Sequence, residues 1–123
     1  MALRGIRGAI TVSENSSRAI AEATKELLTE IISRNNLKVD DLASIMFTAT
    51  DVLDAAYPAV AAREIGFSLV PLFCVQEMTV RGSLPLCVRV LIHVNTELGQ
   101  PFMNHVYLRG AAHLRPDLSH PEQ

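Results

Sequence analysis

One apolar stretch of the sequence, residues 73–90, carries a thiol, a carboxylate and a guanidinium. These are Cys74, Glu77 and Arg89, on two predicted strands joined by a connection that contains Gly and Pro. Charged groups among apolar strand residues are normally paired or bind something. Two interpretations are open. Arg89 and Glu77 form a salt bridge across the strand pair, or the three side chains together hold a small anionic ligand.

Covalent catalysis has weaker support from the residue inventory. Cys74 could act as a nucleophile with His93 as its base, but no third group that would orient the base is evident. A buried, unreactive thiol is the favoured interpretation of both Cys74 and Cys87. The sequence has no nucleophile elbow, phosphate-binding loop, dinucleotide fingerprint or HExxH motif. The cysteines show no CxxC spacing, so no metal site is predicted.

The composition is typical of one globular domain. The chain has 123 residues, of which 49% are hydrophobic and 20% charged, with a formal net charge of −2. This balance allows a core and offers no basic surface for nucleic acid. No apolar run is long enough to span a membrane, and the N-terminal residues do not resemble a signal peptide. Reduced thiols are typical of cytoplasmic proteins, so we expect a cytoplasmic location. We expect a single domain over residues 1–115 and a mobile, polar tail over 116–123.

The elements that must position these side chains alternate between strand and helix. Residues 2–12 predict a strand whose alternation puts Arg4 and Arg7 on opposite faces. Capping residues at 15–17 predict a helix that runs to about Arg34, and Pro58 suits the first position of a second helix. Further strands are predicted over 43–49, 68–76, 87–96 and 105–108.

Residues 87–96 form the clearest predicted strand. Its even-numbered residues, 88–94, are all aliphatic, whereas the odd face carries Arg89, His93 and Asn95. The element order predicts an α/β (α+β) domain with a mixed five-stranded sheet and two main helices on one face. Because the other face must also be covered, homo-oligomerisation is expected, with polar residues lining clefts between subunits.

The sequence contains, in order over residues 3–118, the motifs RGIRGAITV, TATDVLDAAYPA, CVQEM, VRV, HVYL and LRPDL. In combination they closely resemble the small AroH-type chorismate mutases of bacteria. The resemblance implies a homotrimeric pseudo-α/β-barrel with helices outside and active sites at the subunit interfaces. It also implies the Claisen rearrangement of chorismate to prephenate, a step of aromatic amino-acid biosynthesis towards Phe and Tyr. No metal, cofactor or covalent intermediate is expected.

The resemblance also implies a role for each site residue. Arg89 would sit beside the ether oxygen and one carboxylate, where it would stabilise the charge that develops on the ether oxygen in the transition state. Glu77 and the backbone near Cys74 would hold the ring hydroxyl, with the Cys74 thiol adjacent. Arg7 and Tyr107 would each bind a carboxylate. The remaining expected substrate contacts are Tyr57, Ala59, Phe73, Arg63 and Arg115.

Three positions depart from the family pattern. Val60 stands where some members carry Lys, Phe73 is bulkier than expected, and Tyr57 replaces the usual Phe. We therefore expect the affinity for substrate to be atypical. Two alternatives remain: a non-catalytic trimeric protein that binds a small carboxylate, and an imine deaminase of the RidA-like trimers, whose signatures the sequence lacks.

Overall fold

The computed structural model describes residues 1–114, which form one mixed five-stranded sheet and two α-helices. Arg115 and the predicted tail, 116–123, lie outside the described residues. The predicted architecture is confirmed. The elements are β1 (Ala2–Thr11), α1 (Ser17–Asn35), β2 (Leu42–Ala49), α2 (Pro58–Glu64), β3 (Leu72–Gln76), β4 (Cys87–Thr96) and β5 (Val106–Leu108), with short 3₁₀ helices at Val39–Asp41, Gln100–Phe102 and Arg109–His113.

The strand order in the sheet is β3-β2-β4-β1-β5. Strand β4 runs antiparallel to both of its neighbours, β1 and β2, whereas the outer pairs β2–β3 and β1–β5 are parallel. The strand that carries Arg89 is therefore the central one, so its side chains are held by backbone pairing on both sides.

Helix α1 begins and ends as its sequence predicts. The Ser16 hydroxyl accepts a hydrogen bond from the Ala19 amide at 3.1 Å, and Asn36 ends the helix in the left-handed conformation, with φ at 53°. Gly8 of β1 lies under this helix. A Cβ atom at Gly8 would come within 2.8 Å of Ile31 Cδ1, so only glycine permits this close packing of helix on strand.

Helix α2 is short and packs beside α1 at the β3 side of the sheet. Pro58 occupies its first turn, and Gly66, with φ at 107°, follows its end. Ala59 is buried on the inner side of the helix. On the outer side, Lys25 Nζ of α1 lies 2.8 Å from Glu64 Oε1 of α2. This second helix fixes the position of the loop that precedes it, residues 50–57.

The two faces of the sheet have different coverings. The covered face, which includes Ile6, Phe47, Val90 and Ile92, packs on both helices, and these four side chains are at most 5% exposed. The aliphatic side predicted for β4 is thus confirmed. The opposite side, which we call the open face, carries the following residues: Arg7, Ala9, Met46, Thr48, Phe73, Arg89 and Tyr107.

Within residues 1–114, only one corner of the open face is covered. The 3₁₀ helix Arg109–His113 folds back there, and Ala9, Cys87, Tyr107 and Ala111 form a second, small core. The Gly110 amide donates to Thr11 Oγ1 at 3.0 Å, which attaches this segment to β1. The rest of the open face includes exposed apolar side chains.

Three predicted strands are shorter than expected, and β1 ends at Thr11, one residue early. Strand β3 begins at Leu72 instead of residue 68, because Pro71 has no N–H to donate and contributes only its carbonyl, to the Ile45 amide at 3.0 Å. Strand β5 begins one residue later than predicted. The ring of His105, instead of a backbone carbonyl, accepts from the Arg7 amide at 2.9 Å. No helix among the described residues is long and apolar enough to cross a membrane.

Candidate active site

Arg89 lies at the centre of the open face. In the sheet register it stands opposite Thr48 of β2 on one side and Ala9 of β1 on the other. Glu77 follows the end of β3, where its amide donates to the Ala49 carbonyl at 2.9 Å. The Arg89 Nε atom lies 3.4 Å from Glu77 Oε1, and the two side chains are 34% and 25% exposed. The predicted salt bridge across the strands is therefore present.

The salt bridge leaves Arg89 partly unsatisfied. Its Nε is shielded from solvent and has no hydrogen-bond partner among the described residues. The contact at 3.4 Å is consequently an electrostatic one, longer than the roughly 2.7–3.2 Å of an N–H···O bond. Glu77 Oε1 instead accepts a short hydrogen bond from the Thr48 hydroxyl. A buried charged donor without a hydrogen bond is costly, and such a group is suited to receive an oxygen atom of a ligand.

Two more of the predicted site residues share the open face. Tyr107 of β5 pairs in register with Ala9, which in turn pairs with Arg89, so the three residues form a row across the sheet. Tyr107 is 8% exposed, and its ring packs in the small core. Arg7 lies two residues before Ala9 on the same face and is exposed. Arg7, Glu77, Arg89 and Tyr107 thus form one group of cationic, anionic and hydroxyl side chains.

Cys74 does not belong to this group. It pairs with Phe47 and points to the covered face, because Thr48, one residue further along β2, is the residue that stands opposite Arg89. The expectation that Cys74 lies beside Glu77 and Arg89 within one chain was wrong. Burial raises the pKa of the Cys74 thiol above its ordinary value. Hydrogen bonding from the Ala59 backbone and the Arg63 charge oppose that shift.

Cys74 instead lines a groove between β3, β2 and the loop before α2. The groove has a volume of about 470 Å³. Tyr57, 69% exposed, stands at its rim, and Ala59 lies buried in the first turn of α2. Arg63 is exposed on α2, and the Phe73 side chain, 60% exposed, points to the open face. The residues lining the groove are Phe47, Thr48, Ala49, Thr50, Asp51, Leu53, Asp54, Ala55, Ala56, Tyr57, Pro58, Cys74, Val75 and Gln76.

Two residues of the site were missed in the sequence. Cys87 is the thiol near the ion pair. Its pKa is raised by burial, lowered by the Arg89 charge and raised by the Glu77 charge. The alternation of β4 already put Cys87 on the Arg89 side, and this signal could have identified it. Thr48 could not have been identified this way, because its position opposite Arg89 depends on the register of β2 against β4.

The fold and the site define a class: an α/β sheet protein with a group of cationic, anionic and hydroxyl side chains on an open sheet face. No cluster of three or more His, Cys, Asp or Glu side chains with an arrangement suitable for a metal occurs in residues 1–114.

Comparison with known proteins specifies the family. Residues 3–118 match the family described as chorismate mutase type I, and the chain belongs to that family. It is 50% identical over 117 residues to chorismate mutase AroH of Thermus thermophilus, covering 94% of this chain and 96% of the relative. It is 45% identical over 120 residues to chorismate mutase AroH of Bacillus subtilis (strain 168), covering 97% and 94%. A solved chorismate mutase from Clostridium thermocellum has a TM-score of 0.85 and 48% identity, over 87% of this chain and 96% of that one.

Proposed function

We propose that this protein converts chorismate to prephenate by an intramolecular Claisen rearrangement. The family membership supports the reaction, and one observation supports the mechanism. The Arg89 guanidinium stands at the centre of the open face with a solvent-shielded Nε that has no hydrogen bond. In this rearrangement the ether C–O bond breaks while a C–C bond forms, so the enolpyruvyl group moves within one molecule and no proton is transferred. Catalysis then rests on holding the reactive conformer and on stabilising the charge that develops.

Arg89 supplies the electrostatic part of this mechanism. Negative charge accumulates on the ether oxygen as its bond to carbon breaks. A fixed guanidinium beside that oxygen stabilises the transition state more than the substrate, which is the requirement for a higher kcat. Strand pairing on both sides of β4 holds the Arg89 backbone before the substrate arrives. The guanidinium therefore needs little reorganisation during the reaction.

The neighbouring groups hold the substrate. Glu77 binds the ring hydroxyl through its carboxylate, while Arg7 and Tyr107 each bind a carboxylate of the dianion. The compact conformer of chorismate brings the two reacting carbon atoms together. Fixing both carboxylates and the hydroxyl therefore restricts the substrate to the geometry from which the C–C bond forms.

We further propose that each active site is built from two chains of a homotrimer. Arg7, Glu77, Arg89 and Tyr107 share the open face, whereas Cys74, Tyr57, Ala59 and Arg63 lie around the groove on the other side of the β2–β3 edge. The side chains of the two groups face different ways, although Thr48 of the open face also lines the groove. A second copy that docks its groove over the open face of the first would bring them together.

Exposed apolar side chains support this assembly. Met46 is 39%, Phe73 60% and Met78 78% exposed on or beside the open face. An apolar surface of this kind is typical of a face that a partner covers. In the assembly Phe73 would contribute to the pocket wall, and Arg115 from the C-terminal segment would attract the dianion from the rim. Val60 is 37% exposed and supplies no ammonium group, so we expect one fewer carboxylate contact from α2.

Two smaller predictions accompany the function. We propose that residues 1–115 fold as one domain, since the sheet of the described part is continuous from β3 to β5. The cytoplasmic location stays a prediction. It rests on the two cysteines, which are both free in the structure.

The test is to incubate the purified protein with chorismate and follow its conversion to prephenate. The expected result is turnover well above the uncatalysed rate, with prephenate as the product. Saturable binding of chorismate without conversion would instead identify a carboxylate-binding protein. Release of ammonia from a small imine, without turnover of chorismate, would identify an imine deaminase. Either of these two results would overturn the proposal.

A further inference from the structure

Thr48 lies next to both Arg89 and Glu77 on the open face and has no assigned role. It lies directly opposite Arg89 in the register of β2 on β4, and it is half-buried. Its hydroxyl donates a short hydrogen bond to Glu77 Oε1. The same oxygen is the one that faces Arg89 Nε, at 3.4 Å. Glu77 Oε1 therefore accepts a hydrogen bond from the neutral Thr48 hydroxyl. It faces the cationic Arg89 Nε without a hydrogen bond to it.

We propose that Thr48 is a positioning residue for the rearrangement, which holds the Glu77 carboxylate away from a full ion pair with Arg89. The inference rests on the proposed function, in which the Arg89 charge has to act on the substrate. A charge-assisted Arg–carboxylate hydrogen bond is stronger than a neutral one. Without a competing contact, Glu77 Oε1 would move the few tenths of an ångström needed to bond Arg89 Nε. The Thr48 hydroxyl fixes Oε1 short of that position.

Losing the Thr48 hydroxyl would affect catalysis because the Arg89 charge would then act on Glu77 more and on the substrate less. A guanidinium that bonds Glu77 fully is partly neutralised and turned towards the carboxylate. It would then stabilise the developing negative charge on the ether oxygen less well. Substrate binding would change less, because Arg7 and Tyr107 hold the carboxylates in either case. Loss of the Thr48 hydroxyl is therefore expected to lower kcat more than it raises KM.

Other groups near Glu77 do not provide the same restraint. Cys87 and Arg89 of β4 face it, and Asp51 of the loop after β2 lines the same small cavity as Glu77. The Cys87 thiol bonds the Val88 carbonyl at 3.8 Å, and Asp51 is itself an acceptor. The Thr48 hydroxyl, in contrast, donates a hydrogen bond to Glu77 Oε1.

The first experiment compares Thr48→Val with Thr48→Ser. Valine keeps the shape and removes the hydroxyl, so we expect kcat to fall about 10-fold with KM changed less than about 3-fold. Serine keeps the donor and should stay within about 2-fold of the wild-type kcat. Thr24→Val is the matched control, since Thr24 is a buried threonine of α1 whose hydroxyl donates to the Ile20 carbonyl. It should leave kcat unchanged. Thr48→Ala replaces the valine variant if that variant does not fold.

The second experiment tests whether Thr48 acts through Glu77. In a Glu77→Ala background, Thr48→Val should change kcat less than about 2-fold, because the contact it removes no longer exists. A full 10-fold loss in that background would show that Thr48 acts only on the fold, and would overturn the inference. Wild-type kcat in Thr48→Val would overturn it as well.

A third measurement does not depend on activity. A crystal structure of Thr48→Val should show Arg89 Nε and Glu77 Oε1 within hydrogen-bond distance, below about 3.2 Å. An unchanged separation would contradict the inference even if the protein proved inactive towards chorismate. Failure of this proposal and failure of the proposed function are thus distinguished.

Discussion

The covered and open faces of one sheet are built from alternate residues of the same strands, yet they differ in almost every property. On the covered face of β4, Val88, Ile92 and Val94 are at most 1% exposed and pack under the helices. On the open face of the same strand, Arg89 carries a charge that Glu77 neutralises only in part. The covered face contributes the free energy of folding, and the open face contributes the chemistry. A single strand with a side-chain period of two serves both purposes.

The difference also explains where the site is incomplete. The covered face is buried by α1 and α2 of the same chain, so it needs no partner. Only a corner of the open face is covered by the chain's own residues in the described part. A surface that carries a half-buried arginine and exposed apolar side chains is expected to be covered by a partner chain. The following predictions test this division between the faces.

The largest effect is expected from Phe47→Ala on the covered face. Phe47 is fully buried, so truncation should lower the free energy of unfolding by about 3–5 kcal/mol through lost burial and a cavity. Urea unfolding measures it. The control is Met46→Ala. Met46 directly precedes Phe47 in β2 but lies on the open face. Any loss there should depend on protein concentration, since it would come from subunit association. A loss below about 1 kcal/mol for Phe47→Ala would contradict the division.

Arg89→Ala should remove activity while leaving the fold intact. We expect kcat/KM to fall roughly 10² to 10³-fold or more, the order seen when a donor to developing charge is lost. Arg4→Ala is the matched control. Arg4 belongs to the same sheet but to the opposite face of β1, where its Nε donates to the Leu98 carbonyl at 3.1 Å. It should stay close to wild type. Wild-type turnover in Arg89→Ala would refute the role of Arg89.

Mixing two inactive variants tests whether the open face and the groove meet across chains. Arg63→Glu places a carboxylate near the groove and should repel the dianionic substrate, while Arg89→Ala disables the open face. In trimers that assemble at random from equal amounts of the two variants, about one interface in four combines an intact open face with an intact groove. Co-expression should therefore restore about a quarter of wild-type activity. Activity no higher than that of the two parents would show that each site lies within one chain.

Cys74→Ser should have a small effect. Burial raises the pKa of this thiol, so it is neutral near pH 7 and is not a thiolate nucleophile. Serine keeps the shape and a polar hydrogen, and we expect kcat to stay within about 5-fold of wild type. Steady-state assays with chorismate measure this. Complete loss of activity in a folded Cys74→Ser variant would indicate covalent catalysis.

The smallest effect is expected from pH. No side chain transfers a proton, so kcat/KM should be flat between about pH 6 and 8. The two thiols should make the protein less stable in alkali. Burial raises the pKa of both thiols above 9.0, so the folded state binds these protons more tightly than the unfolded state. The stabilisation is complete below pH 9 and is lost as pH rises through the folded pKa. Cys87→Ala should reduce this loss, and a bell-shaped rate profile near pH 7 would contradict the mechanism.

Local features were predicted well from the sequence. The Ser16 cap, the Pro58 start of α2 and the two faces of β4 all follow from residue type and periodicity over a few positions. The family was predicted from its motifs and is confirmed by the family match. The roles of Arg7, Glu77, Arg89 and Tyr107 stay predictions, although the structure brings these four residues to one face.

The error in the placement of Cys74 has a physical cause. Cys74 was grouped with Glu77 and Arg89 because the three residues are close along the chain and fall on predicted strands. In the sheet, β3 pairs with β2 and not with β4, so Cys74 stands beside Phe47 on the covered face. Strand partners and register depend on contacts between residues far apart in sequence, which no local pattern encodes.

By itself, the sequence determined the helices and strands, the aliphatic and polar sides of β4, and the family. These properties depend on residue type, spacing and short motifs, which can be read along the chain. Only the tertiary structure decided that Thr48 stands opposite Arg89, that Cys87 is the thiol near the ion pair, and that Cys74 lines a separate groove. Side-chain partners across a sheet are selected by strand order and register, and both arise only when the whole chain has packed.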